Sequence, residues 1–170
     1  MRLFSYIMPH DSGFAPNPFW GYCTLACCKP VIRRTATIGD WVVGISCRSR
    51  GNRIVYAMEV TEIPSTYEQY AADRRFRRKV PHLTNKEIRY RCGDNIYRPL
   101  ADGSFEQLPN PSHGEAEMQH DLGGRNVLVS DDFFYFGRDG IEVPEDLRVL
   151  IGGRGHKSSF PKRRSICFWN

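Results

Sequence analysis

The sequence predicts an α+β fold in which a small antiparallel sheet curls into a barrel flanked by short helices. Three observations carry that prediction. The runs Trp41–Cys47 and Arg53–Ile63 are joined by Arg48–Arg53 (RSRGNR), a polar link with Gly and Asn at its centre, as a hairpin requires. The other apolar runs are short and bounded by Gly, Pro or Asp. No internal repeat, heptad pattern or long linker divides the 170 residues, so residues 1–170 read as one domain, long enough to bury a core.

In chain order, Leu3–Met8 is a strand closed by Pro9. Gly39–Asp40 form a turn into the strand Trp41–Cys47. Alternation along Arg53–Ile63 places Ile54, Tyr56, Met58 and Val60 on one face. Pro64 ends that strand. Ser65 and Glu68 have capping-box spacing, which predicts a short helix reaching Asp73. Arg74–Arg91 is highly basic and interrupted by Pro81, and reads as irregular or partly helical. Asn95–Arg98 and Ser104–Gln107 are short strands around the Asp102–Gly103 turn. Leu108–Gly124, rich in Pro, Gly, Ser and His, reads as a surface loop. Asn126–Ser130 and Phe133–Phe136 are two further strands, and Glu145–Ile151 a short helix.

A composition of 41% hydrophobic and 25% charged residues is that of a soluble globular protein. No apolar run approaches the roughly 18 residues that cross a bilayer. The N-terminus lacks the hydrophobic region and cleavage site of a signal peptide. These features predict a cytoplasmic protein without membrane partners, whose six cysteines are reduced thiols. Basic residues concentrate at Arg33–Arg34, Arg48–Arg53, Arg74–Lys79 and Arg154–Arg164, within a net charge of +5. Such patches suit a polyanion, and a solvated charged face is the plainer alternative.

Three motifs bear on chemistry. Gly152–Ser158 (GGRGHKS) departs from a phosphate-binding P-loop, because His156 stands where Gly must precede the Lys and no amphipathic helix follows. Either its glycines and cations approach an anion, or it is a flexible basic tail. Cys23, Cys27 and Cys28 lack the second short-spaced pair of a structural zinc site, although His113 and His120 have donor chemistry, so no metal and no cofactor is expected. As a nucleophile, Cys28 would have Lys29, Arg33 and Arg34 for electropositive surroundings and one of five histidines for a base; inert buried thiols are the alternative. Phe14, Phe19 and Trp20 lie in a loop pinned by Pro16 and Pro18. Rigid rings either stack on bases or plug one end of the barrel.

The segment Gly13–Arg34 (GFAPNPFWGYCTLACCKPVIRR), with GDWVVG (Gly39–Gly44), GDNIY (Gly93–Tyr97), FFYFG (Phe133–Gly137) and GRGHK (Gly153–Lys157), resembles the bacterial and phage nucleotide-modification-associated domains of the second type. That resemblance spans nearly the whole chain and implies a role alongside DNA-modification or restriction systems. The layout of Gly39–Tyr70 is similar to PUA-like domains, above all the EVE group, whose relatives flip modified bases into an aromatic pocket. On this likeness the expected partner is nucleic acid, DNA rather than RNA, carrying a modified base. Asp11, Asn17 and Thr24 would hydrogen-bond the base edge, with Phe14, Phe19 or Trp20 on its face and Asp94, Asn95 and Tyr97 closing the pocket. Lys29, Arg33, Arg34, Arg154 and Lys157 would hold phosphates. The alternative is an enzyme modifying a base or nucleotide, with Asp11, Cys28, Lys29 and His156 as its titratable groups.

Overall fold

Alternation along Leu3–Met8 (β1) sends Phe4, Tyr6 and Met8 to one side and Leu3, Ser5 and Ile7 to the other. In the computed structural model, which describes residues 1–153, 155–158 and 160, both sides are covered, and the fold is α+β. The strands in chain order are β2 (Cys23–Leu25), β3 (Trp41–Ser46), β4 (Ile54–Glu59), β5 (Tyr97–Pro99), β6 (Phe105–Gln107), β7 (Leu128–Ser130), β8 (Phe133–Tyr135) and β9 (His156–Lys157). The α-helices are α1 (Pro30–Thr35), α2 (Tyr67–Ala72), α3 (Ile88–Arg91) and α4 (Glu115–Leu122).

The main sheet has the order β8-β4-β3-β1-β9, and β2–β7 and β5–β6 form separate antiparallel pairs. Two features correct the expected barrel. β1 and β3 pair in parallel, Leu3 opposite Trp41 through Met8 opposite Ser46, so the sheet is mixed. Among the described residues it also stays open, with β8 and β9 at its edges. A parallel pair requires a crossover instead of a hairpin. Residues 9–40 supply it, and the whole Gly13–Arg34 segment therefore lies across one face of the sheet.

One core cluster lies between sheet and crossover, with Tyr6, Met58 and Val42 meeting Cys23, Leu25 and Ile32. A second lies beyond β2–β7, around Tyr67, Tyr70, Phe76 and Ile96. The third covers the opposite sheet face, where Val43, Ile45 and Ala57 meet Leu147 and Leu150. Ile54 sits in that third cluster, not with Tyr56 and Met58, because the β3–β4 register shifts between Gly44 and Ile45. A bulge of this kind reverses the facing of residues beyond it.

The α2 cap is displaced by one residue from the expected Ser65–Glu68 box. The Thr66 side chain accepts from the Gln69 N–H (3.2 Å), while Gln69 Oε1 accepts from the Ser65 N–H (3.0 Å). Arg74–Lys79 and Glu145–Leu150 are 3₁₀ helices, and α4 occupies part of the segment expected as loop. No helix among the described residues is long and apolar enough to cross a membrane.

Gly44 permits the close approach of three strands: a Cβ there would fall against Met8 Sδ and the Tyr56 ring. Gly44→Ala is expected to destabilise by about 1–3 kcal/mol through overpacking. Urea denaturation would show this as a lower midpoint with unchanged slope; an unchanged midpoint would mean that the sheet has room there.

Candidate functional site

Pro30 opens α1, where its missing N–H costs no hydrogen bond. The chain therefore has to turn sharply just before it. Cys28 (φ 60°) and Lys29 (φ 44°) both take the left-handed conformation. Each such non-glycine residue costs on the order of 1–3 kcal/mol, and surrounding contacts must hold it. They do so here. The Cys28 N–H donates to Asp121 Oδ1 (2.6 Å), and the Cys28 carbonyl accepts from Arg33 Nε (2.7 Å).

The turn presents Cys28 Sγ to His113 Nε2 at 3.3 Å, and His113 Nδ1 lies 2.8 Å from Asp121 Oδ2. His113 is fixed from several sides. Its N–H donates to Asn110 Oδ1 (2.7 Å), its carbonyl accepts from Gln107 Nε2 (2.9 Å), and Phe14 packs edge-on against its ring at 4.8 Å. Asp121, on α4, also accepts from Tyr97 Oη (2.7 Å). The result is a thiol, an imidazole and a carboxylate in series, the third group orienting the second.

Charge follows from these contacts. Burial works against ionised Asp121, but hydrogen bonds from His113, Tyr97 and the Cys28 N–H hold its pKa below the usual carboxylate range. Burial also opposes a charged His113, yet the hydrogen bonds to Asp121 and Cys28 push its pKa up to about 10. The imidazolium thus donates to Asp121 from one nitrogen and faces Sγ with the other.

Behind the turn, Arg33 is wholly buried. It donates to the Cys28 carbonyl, to Tyr67 Oη (2.5 Å), to the Asn126 carbonyl (3.0 Å) and to the Asp121 carbonyl (2.5 Å), with 3.8 Å to the Asp121 carboxylate. The expected phosphate contact by Arg33 is therefore corrected: its guanidinium has no open face. Gly124 makes room for it, since a Cβ there would lie on the guanidinium.

Cys28, Lys29 and His113 open onto a cleft of about 430 Å³, also lined by His120, Glu117 and His156. Three of the four groups expected for an enzyme, Cys28, Lys29 and His156, thus converge. The fourth, Asp11, lies outside the lining and accepts from Tyr135 Oη (2.7 Å) and the Gly13 N–H (3.2 Å). Lys29 Nζ stands 4.5 Å over the Tyr6 ring, and burial lowers its pKa.

The expected base-reading groups separate. Asn17, Thr24, Asp94, Asn95 and Tyr97 are buried. Asn17 Nδ2 donates to the Gly13 and Cys92 carbonyls (both 2.9 Å), and its Oδ1 accepts from the buried Lys79 Nζ at 2.7 Å. Asp94 accepts from Thr24 Oγ1 and Tyr70 Oη (both 2.7 Å). Asn95 Nδ2 reaches the Phe76 carbonyl at 3.5 Å. These side chains brace the crossover from within and offer no edge to a base. Phe14 is buried beside His113, and Phe19 packs beneath Gly13. Trp20 stands apart, half-buried and 4.8 Å from Tyr90, with Arg78 and Arg89 each 5.2 Å from its ring. Its Nε1 is buried without a hydrogen-bond partner among the described residues.

Of the other cations, Arg34 is exposed and donates to the Gly123 carbonyl (2.9 Å), while Lys157 Nζ donates to the Val149 carbonyl (2.9 Å). Arg154 lies outside the described residues. Ligand atoms of Cys27, His113 and Asp121 fall within 4.8 Å of one another, a donor set for zinc-like ions. Burial pushes the Cys27 thiol well up, and both Asp121 oxygens already accept hydrogen bonds. The set is accounted for as hydrogen-bonded packing.

The sequence marks His113 only as a metal donor and one of five histidines able to act as base, and gives Asp121 no role. A signal for α4 exists: Gly114 precedes Glu115 and Glu117, strong helix formers follow, and Gly123–Gly124 close it. Nothing in the sequence pairs Cys28 with His113.

Fold and site together define an α+β protein whose crossover presents a histidine-paired thiol in an open cleft. The chain belongs to the family described as nucleotide modification associated domain 2, whose model matches residues 1–167. Neither curated proteins nor solved structures provide a match.

The His113 pKa, raised from 6.5 to about 10, sets a pH dependence. The contribution of the imidazolium to stability is complete below about 6.5 and is lost as pH rises through about 10. Denaturant midpoints should fall over that interval in the wild type and fall less in His113→Gln; parallel profiles would contradict the assignment.

Proposed function

We propose that this protein is an enzyme of nucleotide modification in which Cys28 is the nucleophile. The observation that carries the reading is the Cys28–His113–Asp121 series facing the cleft. In the attacking form the thiol proton rests on His113 Nε2, and Cys28 Sγ adds to an electrophilic carbon of a nucleotide or its base. The S–C bond forms as the π electrons move to the neighbouring heteroatom, which takes the proton from His113 Nε2. Asp121 keeps the imidazole oriented throughout, as a positioning residue. Lys29, His120 and His156 line the same space and are available to hold developing negative charge. The family membership supports a nucleotide or nucleic-acid setting.

Mass spectrometry after incubation with nucleotides or DNA tests this. We expect a changed nucleoside mass or a Cys28-linked adduct, absent in Cys28→Ser and slower by about 10²–10⁴-fold in His113→Gln. Peptide mapping separates Cys28 from Cys47, which is likewise partly exposed. Unmodified substrates together with Cys28 alkylation at the rate of a free thiol would overturn the proposal.

A second reading, contact with a modified base in DNA, is favoured by the Trp20–Tyr90 pair and its two arginines. The PUA-like likeness of Gly39–Tyr70 belongs with it, because such modules stack an extruded base on aromatic rings. Here the base contact would fall to Trp20, and Asn17, Thr24 and Asp94 would support the loop. Stacking is worth about 1–3 kcal/mol per base. Trp20→Ala should therefore weaken oligonucleotide binding by roughly 5- to 150-fold, and Arg78→Glu should lower its salt dependence. Equal affinity of wild type and Trp20→Ala for modified and unmodified DNA would exclude it.

A further inference from the structure

A second lobe of about 440 Å³ adjoins the thiol cleft and shares Ile7, Pro9, Lys29 and Gly155 with it. Its remaining walls are Arg48 and Asn52, from the link between β3 and β4, and Gly152 and Gly153. None of the described residues lining it is acidic. Among the described residues, the Arg48 guanidinium and the Asn52 amide have no hydrogen-bond or ion-pair partner, and Lys29 Nζ has only the face of Tyr6. Two other basic side chains are engaged elsewhere: Arg53 donates to the Gly140 carbonyl and Lys157 to the Val149 carbonyl. The lobe thus gathers two uncompensated cations and a free amide donor. On the rim, a Cβ at Gly153 or at Gly155 (φ +91°) would meet nothing within 4 Å, so the backbone there is open to a close ligand.

We propose that this lobe is a phosphate subsite, and that the substrate reaching Cys28 is a nucleoside phosphate held by Arg48, Lys29 and Asn52. Arg48 supplies a planar fork suited to two phosphate oxygens, Lys29 a point charge, and Asn52 a neutral donor. Each lobe falls in the volume range of small-ligand sites, roughly 300–1,000 Å³. Lys29 stands at the junction, so a group bound there places the nucleoside toward Cys28 and His113. This inference rests on Cys28 being the nucleophile only for the direction in which the ligand lies; the anion site stands on its own residues.

Two sources share this chemistry, a free deoxynucleoside 5′-monophosphate and the phosphodiester of a single strand. Calorimetric titration of the wild type with four monophosphates, the four nucleosides and a short single-stranded oligonucleotide distinguishes them. We expect a phosphorylated ligand to bind at least about tenfold more tightly than the nucleoside, with the advantage removed in Arg48→Ala and in Arg48→Gln. Preference for monophosphate identifies the free nucleotide, and preference for the oligonucleotide identifies the strand. Equal binding of nucleoside and phosphate, no binding of any phosphorylated ligand at millimolar concentration, or no effect of either Arg48 variant would overturn the subsite. Thermal midpoints of the variants establish that they fold. Iodoacetamide alkylation of Cys28 in the ligand-free wild type is read separately, so failure of the nucleophile and failure of the subsite give different results.

Discussion

The burial of Arg33 against Asp121 is the interaction on which the site depends. A guanidinium removed from water is tolerable only if nearly all its donors are met. Here the partners come from four places in the chain: the Cys28 turn, Tyr67 on α2, Asp121 at the end of α4, and Asn126 before β7. Meeting one cation therefore fixes where α1, α2 and α4 stand relative to each other. The Asp121 carboxylate then has three donors of its own, the Cys28 N–H, Tyr97 Oη and His113 Nδ1. Removing either member would leave a buried charge uncompensated, at a cost of about 3–5 kcal/mol. The left-handed backbone at Cys28 and Lys29 is held by these same bonds.

The parallel pairing of β1 and β3 explains why so much polar chemistry is gathered on one side of the sheet. Residues 9–40 must return across the face, and β2 cannot pair with the main sheet while doing so. It pairs with β7, and the space between is filled by Cys23, Leu25 and Leu128. On the far side of β2 lies a second buried polar network, in which Lys79, Asn17, Thr24 and Asp94 satisfy one another and nearby carbonyls. Burial lowers the Lys79 pKa and raises that of Asp94, so both contribute as hydrogen-bonding groups whose charge is opposed by their surroundings. One network shapes the loop and the other shapes the Cys28 turn.

The cleft is electrostatically asymmetric. The end at Cys28 has the ionised pair His113–Asp121 beneath it, and the end at Arg48 has cations without counter-charges among the described residues. Trp20 and its arginines form a separate feature before β2, whereas Cys28 follows β2. Stacking surface and thiol therefore occupy opposite ends of one short strand.

Much of the sheet was legible because local patterns suffice for it. Leu3–Met8 alternates, RSRGNR joins β3 to β4, and Asp102–Gly103 turns β5 into β6, each a matter of neighbours in the chain. The sequence of α4 reads as loop because its one buried residue is Asp121, a carboxylate where an apolar stripe would mark a helix. The residues of Gly13–Arg34 stand out in the sequence, yet Asn17, Thr24 and Arg33, whose chemistry suits a ligand, are internal. Composition cannot distinguish a polar group that faces a substrate from one that satisfies a buried partner, since both have the same donors and acceptors. By itself the sequence determined β1 and β3 to β8, the two hairpins and the singular character of the crossover segment, but not β2 or β9. Only the tertiary structure decided that Cys28 meets His113, 85 positions away, because that meeting depends on a parallel strand pair and a buried cation that no local pattern encodes.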